Sequence, residues 1–199
     1  MPLSDNQIEK MKEKRRRILE EAVILFSEQG YNDTTISKVA KAADISFGSV
    51  FTYFKNKDEL FDCAVSEPLE EYAEIILDFS TETDNPLSEI EQMVSKHIKL
   101  FAKLGTYLRL VVQVVGQYIK FPVQFAKLNS FHNDLSKEIA KLVLKGQRLG
   151  QLKELDAITV ATSYVSFIIG LRLTLADEPD HQIWEEFVPF AMQLFGPKD

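Results

Sequence analysis

The stretch ISFGSVFTYFKNKDEL, from Ile45 to Leu60, gathers side chains suited to holding a polar partner. Ser46, Ser49, Thr52 and Tyr53 carry hydroxyls, Lys55 and Lys57 carry cations, and Gly48 carries no side chain. Hydroxyl and ammonium groups donate to phosphate oxygens and to acceptors on base edges. A glycine lets the backbone beneath it approach a partner closely. On a helix turning about 100° per residue, Phe47, Val50, Phe51 and Phe54 fall on one arc. Gly48, Ser49, Thr52, Tyr53, Lys55 and Asn56 fall on the other. The segment reads as a short helix with an apolar flank for packing and a hydroxyl-rich flank for reading nucleic acid. Periodicity alone fits an ordinary amphipathic surface helix equally well.

Catalytic chemistry finds no comparable cluster. His97, His132 and His181 stand far apart in sequence, without metal-ligand spacing, and there is no glycine-rich phosphate loop. Cys63 lies in LFDCAV at a core-facing phase, which reads as a buried thiol rather than a nucleophile. We expect neither an enzyme nor a metal or cofactor site. One cysteine in 199 residues excludes an intrachain disulfide and suits a reducing cytoplasm.

The elements that must position the opening stretch are helical, because period 3.6 runs throughout and sustained alternation is absent. The chain reads as all-α, with about nine helices. The first spans about Ile8 to Gln29, with Ile18, Ala22, Leu25 and Phe26 on one stripe and Gly30 as its stop. The second starts at a Thr34-Thr35 cap and buries Ile36, Val39, Ala40 and Ala43. Asp44-Ile45 is a tight connection, and Ser46 caps a third helix ending near Tyr53-Phe54. Two short helices across a tight turn, at 35–54, form a helix-turn-helix. A fourth helix runs from Lys57-Asp58 towards Asp78 through Pro68. After the linker STETDNP, further helices are expected at 86–104, 106–121, 123–146, 156–176 and 181–195. We divide the chain into 1–57, a DNA-binding head, and 58–199.

Hydrophobic residues are 45% and charged residues 27%, an ordinary globular balance. The net charge of −7 is uneven: residues 1–60 carry ten Lys/Arg against ten Asp/Glu, so the remainder holds the whole excess. An acidic body with a locally basic end disfavours non-specific coating of nucleic acid and permits a local basic site. KMKEKRRR is followed by ILEEAVILF, where Glu20 and Glu21 spoil any signal-peptide core. Ala157–Leu171 is uncharged for fifteen residues, short of the ~20 a bilayer needs. It reads as a buried helix, and no membrane is expected.

From Arg15 to Phe61 the chain resembles the tetracycline-repressor-like (TetR) family of bacterial regulators. ILEEAVILFSEQGY, TTISKVAKAADIS, the Gly48-Ser49 pair, TYF and the K-D-E-L pattern carry the likeness. The resemblance implies a three-helix head whose third helix enters the major groove. It implies that Thr35 caps the second helix against a phosphate and that Ser46 to Tyr53, including Phe47 and Gly48, face DNA. Ser49 and Thr52 would lie nearest the bases, with Tyr53, Lys55 and Lys57 towards phosphates. Family members usually carry tyrosine at Phe51 and often a cation at Phe47. Phe51 would then pack or touch a thymine methyl, and the run Lys10, Lys12, Lys14, Arg15, Arg16, Arg17 would supply phosphate contacts, Arg15 among them.

For 58–199 the resemblance implies a ligand-binding and dimerisation domain. The helix at 106–121 is apolar almost all round and should be central. Leu110, Gln113, Val114, Gln117 and Phe121 align on one stripe. Buried amides need partners, which a ligand cavity or a neighbouring helix could supply. Phe101, Tyr107, Phe125 and Tyr164 are candidate aromatic walls. The helices at 156–176 and 181–195 would pair with their copies in a homodimer. Two heads would then meet a near-palindromic double-stranded operator. The function expected is a cytoplasmic DNA-binding regulator, a repressor released by a small, largely apolar effector. The alternative is a helical interaction or sensor protein of the same fold with reduced DNA binding.

Overall fold

The first helix begins earlier than its periodicity suggests because Ser4 and Gln7 close a reciprocal cap. The Ser4 amide donates to the Gln7 side chain at 2.8 Å, and the Gln7 amide donates to Ser4 Oγ at 3.4 Å. In the computed structural model, which describes residues 4–175 and 178–198, α1 covers Asp5–Asp33. Gly30 kinks rather than stops it, with φ 75° and ψ 173°, a region open to glycine alone. The buried Thr34 hydroxyl ties off the end, donating to the Gly30 carbonyl at 2.8 Å.

The other helices are α2 (Ile36–Ala42), α3 (Phe47–Val50), α4 (Lys57–Ile76), α5 (Pro86–Lys103), α6 (Gly105–Gly116), α7 (Pro122–Arg148), α8 (Ala157–Thr174), α9 (Ile183–Glu186) and α10 (Val188–Gln193). The described residues contain no strand, and a lone bridge joins Leu152 to Pro197. The all-α expectation holds. Two elements differ most. The helix expected at 106–121 ends at Gly116, and four turn residues precede Phe121. The helix expected at 181–195 is two short ones, with Pro189 at the start of the second, where a missing amide costs nothing. The last residue expected for 156–176 lies outside the described residues.

The chain forms two compact units. The first comprises residues up to Glu70 together with Arg109–Phe125. Ile18, Ala22 and Phe26 of α1 are fully buried there, with Val39 of α2 and Val50 of α3. The Phe61 ring meets Phe26 at 5.0 Å, Tyr31 at 5.0 Å and Phe121 at 4.8 Å, so one aromatic cluster joins α1, α4 and the turn after α6.

The second unit comprises Glu71–Leu108 and Ala126–Asp199. Its core is drawn from α5, α7, α8 and α10. Helix α8 is apolar enough by composition to cross a membrane, yet Val160, Ala161, Tyr164, Val165 and Ile168 place one side of it in this core. One polar assembly sits inside. His97 is buried, with Nε2 2.8 Å from the Ile76 carbonyl and Nδ1 3.0 Å from the Tyr164 hydroxyl. A carbonyl only accepts, so Nε2 carries the proton and Nδ1 accepts from Tyr164.

Gly146 of α7 marks a close approach to an apolar side chain in this unit. A Cβ there would lie 2.6 Å from Leu152 Cδ1, and Leu152 is fully buried. Glycine to alanine inside a helix normally gains about 1 kcal/mol, but overpacking costs about 1–3 kcal/mol. Gly146→Ala therefore lowers the melting temperature, by a few degrees. A scan by calorimetry checks it, and an increase would show that Leu152 can move aside.

Candidate nucleic-acid interface

The turn between α2 and α3 is built locally. Asp44 takes φ 53°, a left-handed conformation that Asp tolerates better than most residues. The Ile45 amide then donates to the Ala40 carbonyl at 3.0 Å. Each helix carries the cap its sequence supplies. Thr35 Oγ1 accepts from the Lys38 amide at 3.2 Å, Ser46 Oγ from the Ser49 amide at 3.2 Å, and Asn56 Oδ1 from the Glu59 amide at 2.9 Å. Arg17 closes the head from α1, its guanidinium donating to the Ala43 carbonyl at 2.7 Å.

Helix α3 is one regular turn, extended by tighter bonds from Thr52 to Ser49 and from Tyr53 to Val50. Val50 and Phe54 are buried, as expected. Phe47 and Phe51, which share the predicted arc, are 55% and 45% exposed. Helical angles explain the division. Val50 and Phe54 occupy one edge of the predicted apolar arc, while Phe47 and Phe51 sit at its other edge, next to Gly48 and Lys55. A one-turn helix has only enough neighbours to cover the first edge.

Gly48, Thr52 and Lys55 are exposed and Ser49 is half-buried. Nothing lies within 4 Å of the position a Cβ would take at Gly48. The Ser46 and Ser49 hydroxyls are 2.6 Å apart, so each is partly engaged by the other. Tyr53 is half-buried, and the Lys55 amide is bound by the Glu59 carboxylate. Thr35 is exposed at the start of α2.

The cations divide into two groups. The Lys57 ammonium is half-buried, 4.2 Å from the Tyr31 ring centre and 3.2 Å from the Asn32 carbonyl. Burial lowers its pKa, Asp58 opposes that, and Lys120 reinforces it. The Tyr31 hydroxyl bonds to Asp58, and burial, with that bond, pushes its pKa up to about 12. Lys57 thus braces α1 against α4.

Arg15 also departs from the phosphate role expected of it. Its guanidinium grips Glu67 through two bonds, of 2.8 and 2.5 Å, and lies 5.0 Å from the Phe54 ring centre. The paired geometry raises the pKa of Arg15 and lowers that of Glu67, the hydrogen bonds being the largest cause of both. Arg16 is held by Glu13 and Glu20 on its own helix. Cys63 is half-buried beside this pair, its thiol pKa pushed up to about 12 by burial and then Glu67, so it is held as the neutral thiol.

The expected ligand-facing residues fall into both units. In the first, Leu110 is buried. Gln113 is half-buried, its Nε2 donating to the Ser27 carbonyl at 2.7 Å. Gln117 lies beyond the helix end and is exposed, so the expectation of two aligned buried amides fails there. Phe121 is buried against Tyr31, and Phe125 is half-buried beside Tyr118. The all-round apolarity of 106–121 does not make α6 central either, since Val112 and Val115 are exposed. In the second unit Phe101 and Tyr164 flank His97 at 6.5 and 6.0 Å, and Tyr107 packs on Tyr72 at 5.7 Å. Burial pushes the Tyr107 and Tyr164 pKa values up. Sequence reasoning missed the role of His97. Its lone place on an apolar stripe was the only signal, and that pattern is common to any core histidine. Among the described residues no three His, Cys, Asp or Glu side chains group as a metal site.

Comparison with known proteins agrees with this head. Residues 18–64 match the model of the bacterial regulatory proteins of the tetR family. The fatty acid metabolism regulator protein of Bacillus subtilis (strain 168) is 26% identical over 148 residues, 72% of this chain and 75% of that protein. The biofilm operon icaADBC HTH-type negative transcriptional regulator IcaR of Staphylococcus aureus (strain Newman) is 28% identical over 126 residues, 63% of this chain and 67% of that protein. The solved structure of AibR in complex with isovaleryl coenzyme A and operator DNA shares the fold, with a TM-score of 0.75 at 17% identity over 93% of this chain and 100% of that one. With two capped helices across a left-handed Asp44 turn, an open Gly48 face and the matched segment spanning both, residues 18–64 form a helix-turn-helix head of the kind found in the bacterial regulatory proteins of the tetR family.

Proposed function

We propose that this chain is a DNA-binding transcriptional repressor whose hold on its operator is relieved by an apolar, acyl-type small molecule. The observation that carries the DNA reading is the exposed face of Gly48, Thr52 and Lys55 on a segment whose opposite side, Val50 and Phe54, is locked into the head. Repression is supported by the likeness to IcaR, named a negative regulator. The acyl-type effector is supported by the likeness to a fatty acid metabolism regulator and to AibR, solved with isovaleryl coenzyme A. A protein acting on bacterial chromosomal DNA works in the cytoplasm.

A homodimer through α8 and the α9–α10 segment is the assembly this reading requires. Ile158 and Leu173 of α8 and Phe190 of α10 are exposed, Phe190 by 67%. Each is already partly buried, so covering what remains stabilises association by about 1 kcal/mol apiece. Two heads then read half-sites about 34–36 Å apart. Release follows if the effector prefers the dimer geometry that does not match that spacing. Within the first unit, the Gln113–Ser27 bond and the Phe121–Phe61 contact tie α6 and its following turn to α1 and α4, so a shift of α6 would be felt by the head.

The test is a mobility shift on duplexes selected from random DNA, at two salt concentrations, with a chain-length series of acyl-coenzyme A and free fatty acids. The expected result is a saturable, salt-sensitive shift, weakened at least tenfold by one chain-length class. Binding that none of the series weakens removes the acyl effector. The absence of any saturable shift removes the repressor.

A further inference from the structure

We infer that Phe47 and Phe51 form a paired aromatic reader of thymine methyl groups, so that this head selects its operator partly by apolar contact. The inference rests on the DNA-binding reading above. Both side chains are large, apolar and about half exposed. Their rings meet edge to face, 5.2 Å apart at 75°, an arrangement that holds each in place before any partner arrives. They stand one helical turn apart, and the core-facing positions between and beyond them are already filled by Val50 and Phe54. The head does not need them for packing.

Their surroundings indicate what covers them. They border Gly48, whose face is open, and Thr52 and Lys55, which are exposed. A helix presenting that face to a major groove brings the two rings to the base-pair edges. A phenyl ring cannot donate a hydrogen bond to phosphate oxygens, and it makes only weak contacts with carbonyl, amino or ring-nitrogen edges. The one apolar group the major groove displays is the thymine 5-methyl. The polar side of this head is thin by comparison, because the Ser46 and Ser49 hydroxyls bond to each other at 2.6 Å. Much of the discrimination therefore falls to the two rings, and 5-methylcytosine would satisfy them in the same way.

The experiment starts from the selected duplex that the intact protein binds best. Each thymine is replaced in turn by deoxyuridine, which removes the methyl and leaves every hydrogen-bonding group. Affinity is then measured for the wild type and for Phe47→Ser with Phe51→Ser. The expected result is a loss of roughly three- to tenfold per methyl at one or two thymines in each half-site. In the double variant those positions become indifferent to deoxyuridine while salt dependence persists. Because both rings are exposed, the variant should melt within a degree or two of the wild type, which separates lost reading from lost folding. Wild-type affinity that ignores deoxyuridine at every thymine overturns the methyl reader and leaves the repressor standing. Failure to select any duplex overturns both. Association of the wild type beyond a dimer, abolished by the double variant, would assign the rings to protein contact and also overturn the proposal.

Discussion

Gly48→Leu should leave the head folded and abolish specific DNA binding. Gly48 has an ordinary helical backbone, since its φ is not among the positive ones, and open space where its Cβ would go. Replacing such a glycine reduces the freedom of the unfolded chain and stabilises the fold by about 0.4–1 kcal/mol. The melting temperature should therefore hold or rise slightly. The four-carbon side chain would project from the exposed face, where the helix must approach the base-pair edges. If the head reads DNA as proposed, lifting the helix loses the contacts expected of Thr52 and Lys55 together. We expect affinity for the selected duplex to fall at least a hundredfold, about 3 kcal/mol. Anisotropy titration beside a thermal scan measures both halves of the prediction. Binding within threefold of wild type would move the DNA-reading surface elsewhere.

The second large effect is on stability and is read through pH. Burial lowers the His97 pKa from its ordinary value to about 4, despite the opposing bond to the Ile76 carbonyl. The ring is therefore neutral in the folded protein at pH 7. In the unfolded chain it protonates near pH 6.5. Between those values the unfolded state binds more protons, so stability rises with pH across the window. It is complete above about pH 6.5 and falls progressively towards pH 4. At about 1.4 kcal/mol per pH unit, moving from pH 7 to pH 5 should cost about 2 kcal/mol, or roughly 4–8 °C for a chain of this size. His97→Gln should be less stable at neutral pH, because Tyr164 and the Ile76 carbonyl lose a shaped partner. Its melting temperature should also vary less between pH 5 and 7. Equal pH slopes for the two proteins would show that other groups carry the dependence.

His97 also ties the end of α4 to α8. Ile76 is the last residue of α4, the helix that starts at Lys57 beside the head. The imidazole holds that end by one hydrogen bond and Tyr164 of α8 by another. Pro68 lies within α4, and the helix runs through it.

What could be read from the residues alone was local. Period 3.6, the caps at Thr35 and Ser46, and the tight turn at Asp44 each act within about four positions. The segment that specifies them also contains the atoms that satisfy them, so the helix-turn-helix and the burial of Val50 and Phe54 followed without coordinates. Longer reach decided the rest. Arg15 looks like a phosphate ligand until Glu67, 52 residues on, takes both arms of its guanidinium. Gln113 looks like a pocket amide until the Ser27 carbonyl, 86 residues back, accepts its proton. Phe47 and Phe51 share a predicted arc with Val50 and Phe54, and how far their rings stay in water depends on the packed neighbours of a one-turn helix. His97, Tyr164 and Ile76 meet because three helices cross. Periodicity records which face of a helix is apolar, whereas the partner that covers it, or fails to, depends on distant chain, and that choice belongs to the tertiary structure.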